Sequence, residues 1–280
     1  MNPEYKQFEE QAFFSTVRIE RPASKEMGTG FLVEVPSCLE GKKHVFLVSN
    51  KHVLGGQDKE TRITFHLADK EGNPELGNPF RINLKEFTKG YYESDEDDID
   101  LAMLNVSNLV DVAKHHSKKD VYYKSLGLEI FSDYTEPNFL PNNKIVFVGY
   151  PNDRFDTKNF LPIMRSGIVA SIPKINFENK PYLLVDAQVF QGSSGSPVFT
   201  IIDNKWKLIG VVFQAMVRNQ KIQIVEAAQQ AVTQDMLGIG LVVKSTALLD
   251  LINKTKEKLD KQNCPDASAR DTTKPKSKNN

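Results

Sequence analysis

Three segments of the sequence carry side chains that could act together in nucleophilic catalysis. The first is the glycine- and serine-rich run Gln191–Pro197, in which Ser194 is the candidate nucleophile. A serine hydroxyl reacts at neutral pH only with a neighbouring base and with backbone N–H groups directed at the developing oxyanion. Gly192 permits the backbone torsions that such N–H groups require. A plain hairpin loop is an equally good interpretation of this segment taken by itself.

The other two segments supply a candidate base and a candidate acid. His52 follows the apolar run Phe46–Val48 through a polar turn, and a general base needs such a rigid strand end at the edge of a cleft. Asp100 precedes the apolar run Leu101–Leu104, so its carboxylate would be partly buried and could orient an imidazole. Asp98 is a rival, because it lies on the same face if the segment is extended. A single histidine at a strand end is more often structural, so the joint order of His, Asp and Ser at three strand boundaries is the stronger signal.

The elements that must position these residues are short strands. Apolar runs bounded by glycine, proline and asparagine predict many strands without alternating βαβ units, which indicates a β-barrel or a sandwich. Helices are predicted for the first dozen residues through Gln11, for an inserted segment at Val225–Met236, and from Ser245, which can cap a final helix. The stretch from Ser107 to Asn142 shows no clear period.

Composition limits the other classes of function. The chain has 280 residues, with 36 Lys plus Arg and 36 Asp plus Glu, so its net charge favours neither a nucleic acid nor an anionic membrane as a partner. No apolar run approaches the length of a bilayer span. His115 and His116 have no cysteine or carboxylate at ligand spacing, and no glycine loop precedes a helix to bind phosphate. We therefore expect no metal and no cofactor.

The N-terminus and the cysteines favour the cytoplasm. The first residues are polar and lack the basic start and the apolar stretch of a secretory signal. Cys38 and Cys264 are the only cysteines, and two cysteines near turns are not a disulfide framework. A reducing cytoplasm is the expected location. Residues 262–280 are too polar to bury, so we expect a disordered tail there.

Together, these segments resemble the trypsin-like, or chymotrypsin-fold, serine peptidases over about residues 14–252. Ser194 lies in a Gly-x-Ser-Gly-x-Pro setting like the nucleophile of that family. Ser49–Val53 resembles the segment around its histidine, and Asp100–Leu104 resembles its Asp-Ile/Leu-Ala-x-Leu pattern, which favours Asp100 over its rival. Gly28–Phe31 is similar to an opening strand of the family's barrel. Because few cysteines are present and no PDZ-like segment is recognised, the chain is more similar to bacterial intracellular and HtrA-like peptidase domains than to secreted digestive enzymes.

The resemblance implies a fold and its boundaries. We expect an all-β chain of two six-stranded antiparallel β-barrels, the chymotrypsin-like double barrel, with short N-terminal and C-terminal helices. The peptidase domain would cover residues 1–255. Its N-terminal barrel would lie at about 14–110, its C-terminal barrel at about 142–245, and a C-terminal helix at about 245–261.

The resemblance also implies roles for individual residues. His52, Asp100 and Ser194 would form the catalytic triad, and the backbone N–H groups of Gly192 and Ser194 would form the oxyanion hole. The substrate would be a polypeptide whose backbone adds a strand to the edge at residues 212–214. The substrate-binding residues would be Gln188, Val189, Phe190, Val212, Phe213, Gln214 and Met216. Because Gln188 stands where trypsin-like specificity requires an acid, we expect cleavage after a neutral or apolar side chain instead of after Arg or Lys.

Two alternatives to a constitutively active enzyme stay open at this point. One is a catalytically silent pseudopeptidase that binds a peptide or a protein in the cleft, and the other is an enzyme that an activating protein partner must order. Ser193 replaces the aspartate that pairs with a newly cut N-terminus in secreted zymogens, so activation by that ion pair is not expected. The inserted segment Val225–Met236 favours the partner-dependent form.

Overall fold

A computed structural model describes residues 5–55, 60–84, 90–224 and 229–265, with the backbone alone given at 109–110, 219–224 and 229–234. Strands dominate these ranges, and the strands divide between two sheets. None of the helices within them is both long enough and apolar enough to cross a bilayer.

The first half of the chain forms an antiparallel sheet of eight strands. These are β1 (Thr16–Arg21), β2 (Glu26–Pro36), β3 (Lys43–Ser49), β4 (Thr61–Ala68), β5 (Pro74–Leu84), β6 (Tyr91–Glu93), β7 (Ala102–Asn105) and β8 (Val121–Tyr122). They lie in the order β5-β4-β1-β2-β3-β7-β6, and β8 pairs with β4. The strand count differs from the predicted six because β6 and β8, at three and two residues, are too short to show a period in the sequence.

The second half forms a closed antiparallel barrel of six strands. These are β9 (Lys144–Gly149), β10 (Ile163–Val169), β11 (Tyr182–Asp186), β12 (Pro197–Ile202), β13 (Lys205–Ile224) and β14 (Gln229–Lys244). Their order around the barrel is β10-β11-β14-β13-β12-β9. The predicted all-β fold class is therefore confirmed, and the C-terminal barrel has the predicted number of strands.

The hydrophobic core joins the two halves. One cluster of buried side chains combines Phe31, Phe46 and Met103 from the first sheet with Phe199 and Val211 from the barrel. Two further clusters fill the interior of the first sheet and the interior of the barrel. Because the burial of each large apolar side chain stabilises the fold by about 1.5–3 kcal/mol, the shared cluster holds the two halves in one fixed arrangement.

In the part of the chain that the structure describes, four α-helices lie around the sheets: α1 (Phe8–Ser15), α2 (Lys51–Leu54), α3 (Ser107–Ser117) and α4 (Ser245–Asn263). Helix α1 extends four residues beyond its predicted end at Gln11, because Ala12 and Phe14 are buried against the sheet. Helix α4 starts at Ser245 and buries the apolar side chains that recur along it, but Ser245 is not the predicted cap: the N-cap is Lys244, without a side-chain hydrogen bond, and the Ser245 hydroxyl donates to the Ser132 carbonyl oxygen. Helix α3 lies in the stretch for which the sequence shows no period.

The predicted helix at Val225–Met236 is wrong. Residues 229–236 belong to β14, whose ladder with β13 continues from Gly210↔Lys244 to Ile224↔Gln229, so that the two strands form one long hairpin. Residues 225–228 lie outside the described part of the chain. Alanine and glutamine favour a helix locally, but pairing with β13 overrides a local preference that amounts to tenths of a kcal/mol per residue.

The two cysteines form a disulfide between the β2–β3 turn and the end of α4. Cys38 and Cys264 are 226 residues apart, so nothing local in the sequence signals the pairing. The Cys38 N–H also donates a hydrogen bond of 3.2 Å to the Asp260 carboxylate of α4. The pair is a single cross-link and not the framework of a disulfide-rich domain. Of the predicted tail, residues 266–280 lie outside the described residues.

Candidate active site

His52 and Asp100 lie at the end of the first sheet, held there by backbone contacts. His52 is in the single turn α2 that follows β3, and Asp100 precedes β7 on the adjacent strand. The buried Asn50 side chain donates a hydrogen bond of 2.7 Å to the Asp100 carbonyl oxygen, which ties the histidine turn to the acidic loop. The Asp100 carboxylate then accepts two hydrogen bonds from His52, one from its backbone N–H at 3.1 Å and one from ring Nδ1.

The Asp100 carboxylate is ionised in a largely buried position. Its side chain is 16% exposed, whereas that of His52 is 51% exposed. Burial raises the pKa of Asp100, but the hydrogen bonds and charge of His52 outweigh burial and bring the pKa below its ordinary value. The rival Asp98 lies outside this arrangement, because its carboxylate is exposed and pairs with Lys180. Asp100 is therefore the carboxylate that can fix the ring orientation of His52.

Ser194 lies on a tight turn between Gly192 and Gly195, whose backbone conformations favour glycine. Gly192 and Gly195 have φ angles of 84° and 86°, in the left-handed region that L side chains rarely adopt. A Cβ atom at Gly195 would overlap the Thr29 carbonyl oxygen, and one at Gly192 would press on the Tyr150 carbonyl oxygen. The turn is thus packed directly against backbone from both halves of the molecule.

Thr29 on β2 connects the serine turn to the first sheet. Its hydroxyl donates a hydrogen bond of 2.8 Å to the Gly192 carbonyl oxygen and accepts one of 3.1 Å from the Tyr150 N–H. Its backbone N–H donates to the Ser194 carbonyl oxygen at 3.0 Å. This positioning role was not predicted from the sequence. The available signal was a threonine between Gly28 and Gly30, where a Cβ atom would collide with Val53 of α2 or with Ile19 and Leu47 of the first sheet.

Two cavities meet at His52 and Ser194. The larger is an open cleft with a volume of about 410 Å³, and the residues that line it are His52, Val189, Phe190, Gln191, Ser194, Phe213, Gln214 and Ala215. The smaller has a volume of about 100 Å³ and is lined by Arg21, Glu26, Met27, His52, Val53, Gln191, Gly192 and Ser194. An extended chain that crosses this site would therefore place one bond beside the serine and side chains in each cavity.

The Ser194 hydroxyl is in a resting position. It donates a hydrogen bond of 3.1 Å to the Phe213 carbonyl oxygen, and no hydrogen bond within the described residues joins it to the His52 ring. Rotation about the serine Cα–Cβ bond would redirect the hydroxyl. Across the described ranges, the backbone N–H groups of Gly192 and Ser194 have no acceptor in the protein, so both can bind a substrate oxygen.

The predicted substrate-binding residues fall into two groups. Val189, Phe190, Phe213 and Gln214 line the larger cleft with His52 and Ser194, and Ala215 does so as well, which the sequence analysis did not list. The remaining three do not line either cavity at the serine. Gln188 is exposed and lies beside Arg165. Val212 is a core residue whose backbone forms hydrogen bonds with Gly195 and Ser196. Met216 lies at an irregularity in the β13–β14 ladder. Among the described residues, no group of three His, Cys, Asp or Glu side chains could hold a metal ion.

One of two superpositions on solved structures, that on AlgW, supports this architecture. A solved structure of the HtrA-type protease AlgW, a variant with a tripeptide, superposes with a TM-score of 0.53 at 13% identity, covering 88% of this chain and 62% of that one. At that identity the likeness shows the fold alone, and the chain spans less than two thirds of the AlgW chain. Deg5 superposes with a TM-score of 0.44 at 18% identity, covering 73% of this chain and 81% of that one. No curated protein matches the sequence.

A family model gives the assignment that these superpositions cannot. The model for the trypsin-like peptidase domain matches residues 28–211, which is more than half of the chain and includes His52, Asp100 and Ser194. The chain belongs to the trypsin-like peptidase family.

Proposed function

We propose that the protein is a serine endopeptidase that hydrolyses peptide bonds through the triad of His52, Asp100 and Ser194. The observation that carries the proposal is that a histidine oriented by a buried carboxylate faces the same cleft as a serine held on a glycine-flanked turn. That arrangement provides a base, a nucleophile and free backbone N–H groups within one site. The polypeptide substrate follows from the family and from the open, strand-edged cleft.

In the proposed reaction, the His52 ring removes the Ser194 proton while the hydroxyl oxygen attacks the substrate carbonyl carbon. The Gly192 and Ser194 N–H groups bind the resulting oxyanion. Asp100 keeps Nδ1 protonated, so that Nε2 is the basic atom, and stabilises the imidazolium. His52 then donates its proton to the leaving amine, and water hydrolyses the acyl-enzyme by the same steps in reverse.

The resting contact between Ser194 and Phe213 links substrate binding to this chemistry. The Phe213 carbonyl oxygen belongs to β13 and faces the cleft, where an added substrate strand would supply a competing N–H donor. A backbone N–H that bonds to this oxygen displaces the weaker hydroxyl donor. The serine hydroxyl then rotates toward His52, so binding of the substrate backbone prepares the nucleophile.

The proposal is tested by labelling and by turnover. Purified protein should react at Ser194 with a fluorophosphonate probe and should cleave members of a peptide library, whereas Ser194→Ala should fold normally and do neither. Ser193→Ala is the matched control, because its side chain is buried in the same turn but does not line the cleft. Cleavage by Ser194→Ala at the wild-type rate would remove this serine from the mechanism.

A second function is favoured by the same resting contact. If the Phe213 bond holds the hydroxyl away from His52 in the free protein, the cleft could serve as a peptide-binding site that hydrolyses nothing until a partner acts. In that case the probe should label the protein only after an activating peptide or protein is added. Full labelling of the purified protein at the rate of an unrestrained serine hydrolase would exclude this second function.

A further inference from the structure

Arg165 stacks on Phe190, a residue that lines the larger cleft, and has no charged partner within the described residues. Its guanidinium is stacked 4.6 Å from the centre of the Phe190 ring and 5.9 Å from that of Phe147. Its Nη2 donates to the Gln188 amide oxygen at 3.5 Å, the long end of the hydrogen-bond range. Its Nη1 is buried and has no hydrogen-bond partner among the described residues. The guanidinium therefore retains unsatisfied donor capacity.

No carboxylate within the described ranges forms an ion pair with this guanidinium, in contrast to Arg18 and Arg21, which pair with acidic side chains. Burial lowers the pKa of Arg165, yet an arginine stays protonated at neutral pH. A partly buried cation with an orphaned donor is unfavourable in the empty protein. A bound anion would compensate the charge, and a carboxylate fits the planar donor geometry of a guanidinium.

Phe190 connects this cation to the reaction centre. The Phe190 side chain lines the cleft together with Ser194, and it is also the ring on which Arg165 stacks. Val189, the residue before it, is 3% exposed and turns into the barrel core, while Gln188 and Phe190 contact the guanidinium. A substrate side chain that enters the cleft beside Ser194 and extends along the Phe190 ring therefore approaches Arg165.

We propose that Arg165 is a specificity-determining residue that selects an acidic side chain at the substrate residue whose carbonyl Ser194 attacks. Glutamate should be preferred over aspartate, because its carboxylate extends one methylene further along the Phe190 ring. The inference rests on the proposed function for the identity of that substrate residue. This acidic preference replaces the expectation of a neutral or apolar substrate side chain. That expectation was based on Gln188 alone, without Arg165, which the fold places beside it.

Binding is measured first, in a form that does not depend on catalysis. Ser194→Ala is mixed with fluorescent, end-capped peptides that differ only in carrying Glu, Gln or Lys at the central position, and fluorescence anisotropy gives each Kd. The Glu peptide should bind at least about tenfold more tightly than the Gln peptide, because only the carboxylate pairs with the buried guanidinium. Equal Kd values for Glu and Gln would overturn the inference without any variant at position 165.

Variants in the same background assign the effect to one side chain. Arg165→Gln should abolish the Glu preference, Arg165→Lys should retain part of it, and Arg165→Glu should favour the Lys peptide. Arg62→Gln is the matched control, because Arg62 is an arginine of the first sheet whose Nε donates to Asn83 and which lies far from the cleft in the strand order. A Glu preference that persists in Arg165→Gln would overturn the assignment to this residue.

A cleavage profile of the wild-type protein separates this inference from the proposed function. Cleavage after glutamate that shifts in Arg165→Gln supports both. Cleavage after neutral residues that Arg165→Gln leaves unchanged overturns the role of Arg165 while hydrolysis stands. Preferential binding of the Glu peptide without any cleavage supports the acidic subsite while overturning peptide-bond hydrolysis by the free protein.

Discussion

The Thr29 hydroxyl donates a hydrogen bond of 2.8 Å to the Gly192 carbonyl oxygen, joining the first sheet to the turn that carries Ser194. Thr29→Val removes that donor and also the acceptor of the Tyr150 N–H, leaving two buried backbone groups unpaired. We expect a loss of about 1–3 kcal/mol in the free energy of unfolding. We expect kcat to fall about tenfold to a hundredfold, because the Gly192 N–H no longer points at the oxyanion. Thr29→Ser, which keeps the hydroxyl, should stay near wild type in both urea unfolding and peptide hydrolysis.

Asp98 and Asp100, two residues apart, allow a test of the proposed triad in which one aspartate is the control for the other. Asp100→Asn should lower kcat by about a thousandfold or more, because an amide cannot hold His52 in the reactive tautomer or stabilise its cation. Asp98→Asn changes the same charge two residues away, on an exposed side chain that pairs with Lys180. It should leave kcat within about twofold. Comparable losses in the two variants would place the effect in the loop as a whole and not in the Asp100–His52 pair.

Two glycines with similar positive φ angles allow the cost of backbone strain to be measured apart from the cost of a steric collision. Gly195 and Gly72 have φ angles of 86° and 80°, but a Cβ atom at Gly195 overlaps Thr29 whereas one at Gly72 meets nothing within 4 Å. Gly72→Ala should cost about 1 kcal/mol of stability from its backbone conformation. Gly195→Ala should cost about 3 kcal/mol or more and abolish activity. Thermal unfolding measures the difference, and equal losses would show that the serine turn is free to move away from Thr29.

The stability of the protein should respond to the redox state of its cross-link. A disulfide that closes a loop of this length stabilises the folded state by about 3–5 kcal/mol, mainly by restricting the unfolded chain. Cys264→Ser should therefore unfold at lower urea concentration than the oxidised wild-type protein. With a reductant present the two proteins should unfold together. A difference that survives reduction would mean that the serine substitution acts on the packing of α4 instead.

Lys244 gives the fold a pH dependence above neutrality. Its ammonium group is buried and donates hydrogen bonds to the Pro173 and Ile175 carbonyl oxygens and to the Asn176 side chain. Desolvation by burial lowers the pKa of Lys244 from 10.5 to about 8. Between these two values the unfolded chain binds more protons than the folded one, so the contribution of Lys244 to the free energy of unfolding increases with pH.

The variant Lys244→Met isolates this contribution, because the other titrating groups are common to both proteins. The stability of wild type relative to the variant should rise from pH 7 to pH 9.5 in urea unfolding measured at constant ionic strength. A difference that is flat across this range would show that the three oxygen acceptors hold the pKa of Lys244 near its ordinary value.

The sequence predicted those features whose signals are local. His52, Asp100 and Ser194 each stand at the boundary of an apolar strand, so a short window around each residue describes its setting. The six strands of the second barrel are long enough to show their pattern. Helix α4 has its whole apolar repeat within one segment.

The features that the sequence did not predict depend on partners far away along the chain. Residues 229–236 are the exception, because their pairing partners are residues 217–224 of β13, the other arm of the same hairpin, and the local helix preference of alanine and glutamine concealed that pairing. Thr29 meets Gly192, 163 residues later, and Arg165 meets Phe190 only once β10 and the serine turn are packed side by side. Local windows cannot contain such pairs, because the tertiary fold creates them.

The bond between Cys38 and Cys264 turns most of the chain into a covalent ring that contains His52, Asp100 and Ser194. Hydrolysis of any one peptide bond within that ring opens it without releasing a fragment. A protein that nicks its own surface loops would therefore migrate as one species on a non-reducing gel and as two pieces after reduction. The halves that carry His52 and Ser194 would also remain tethered after such a cut, at a local concentration that favours their reassembly over separation.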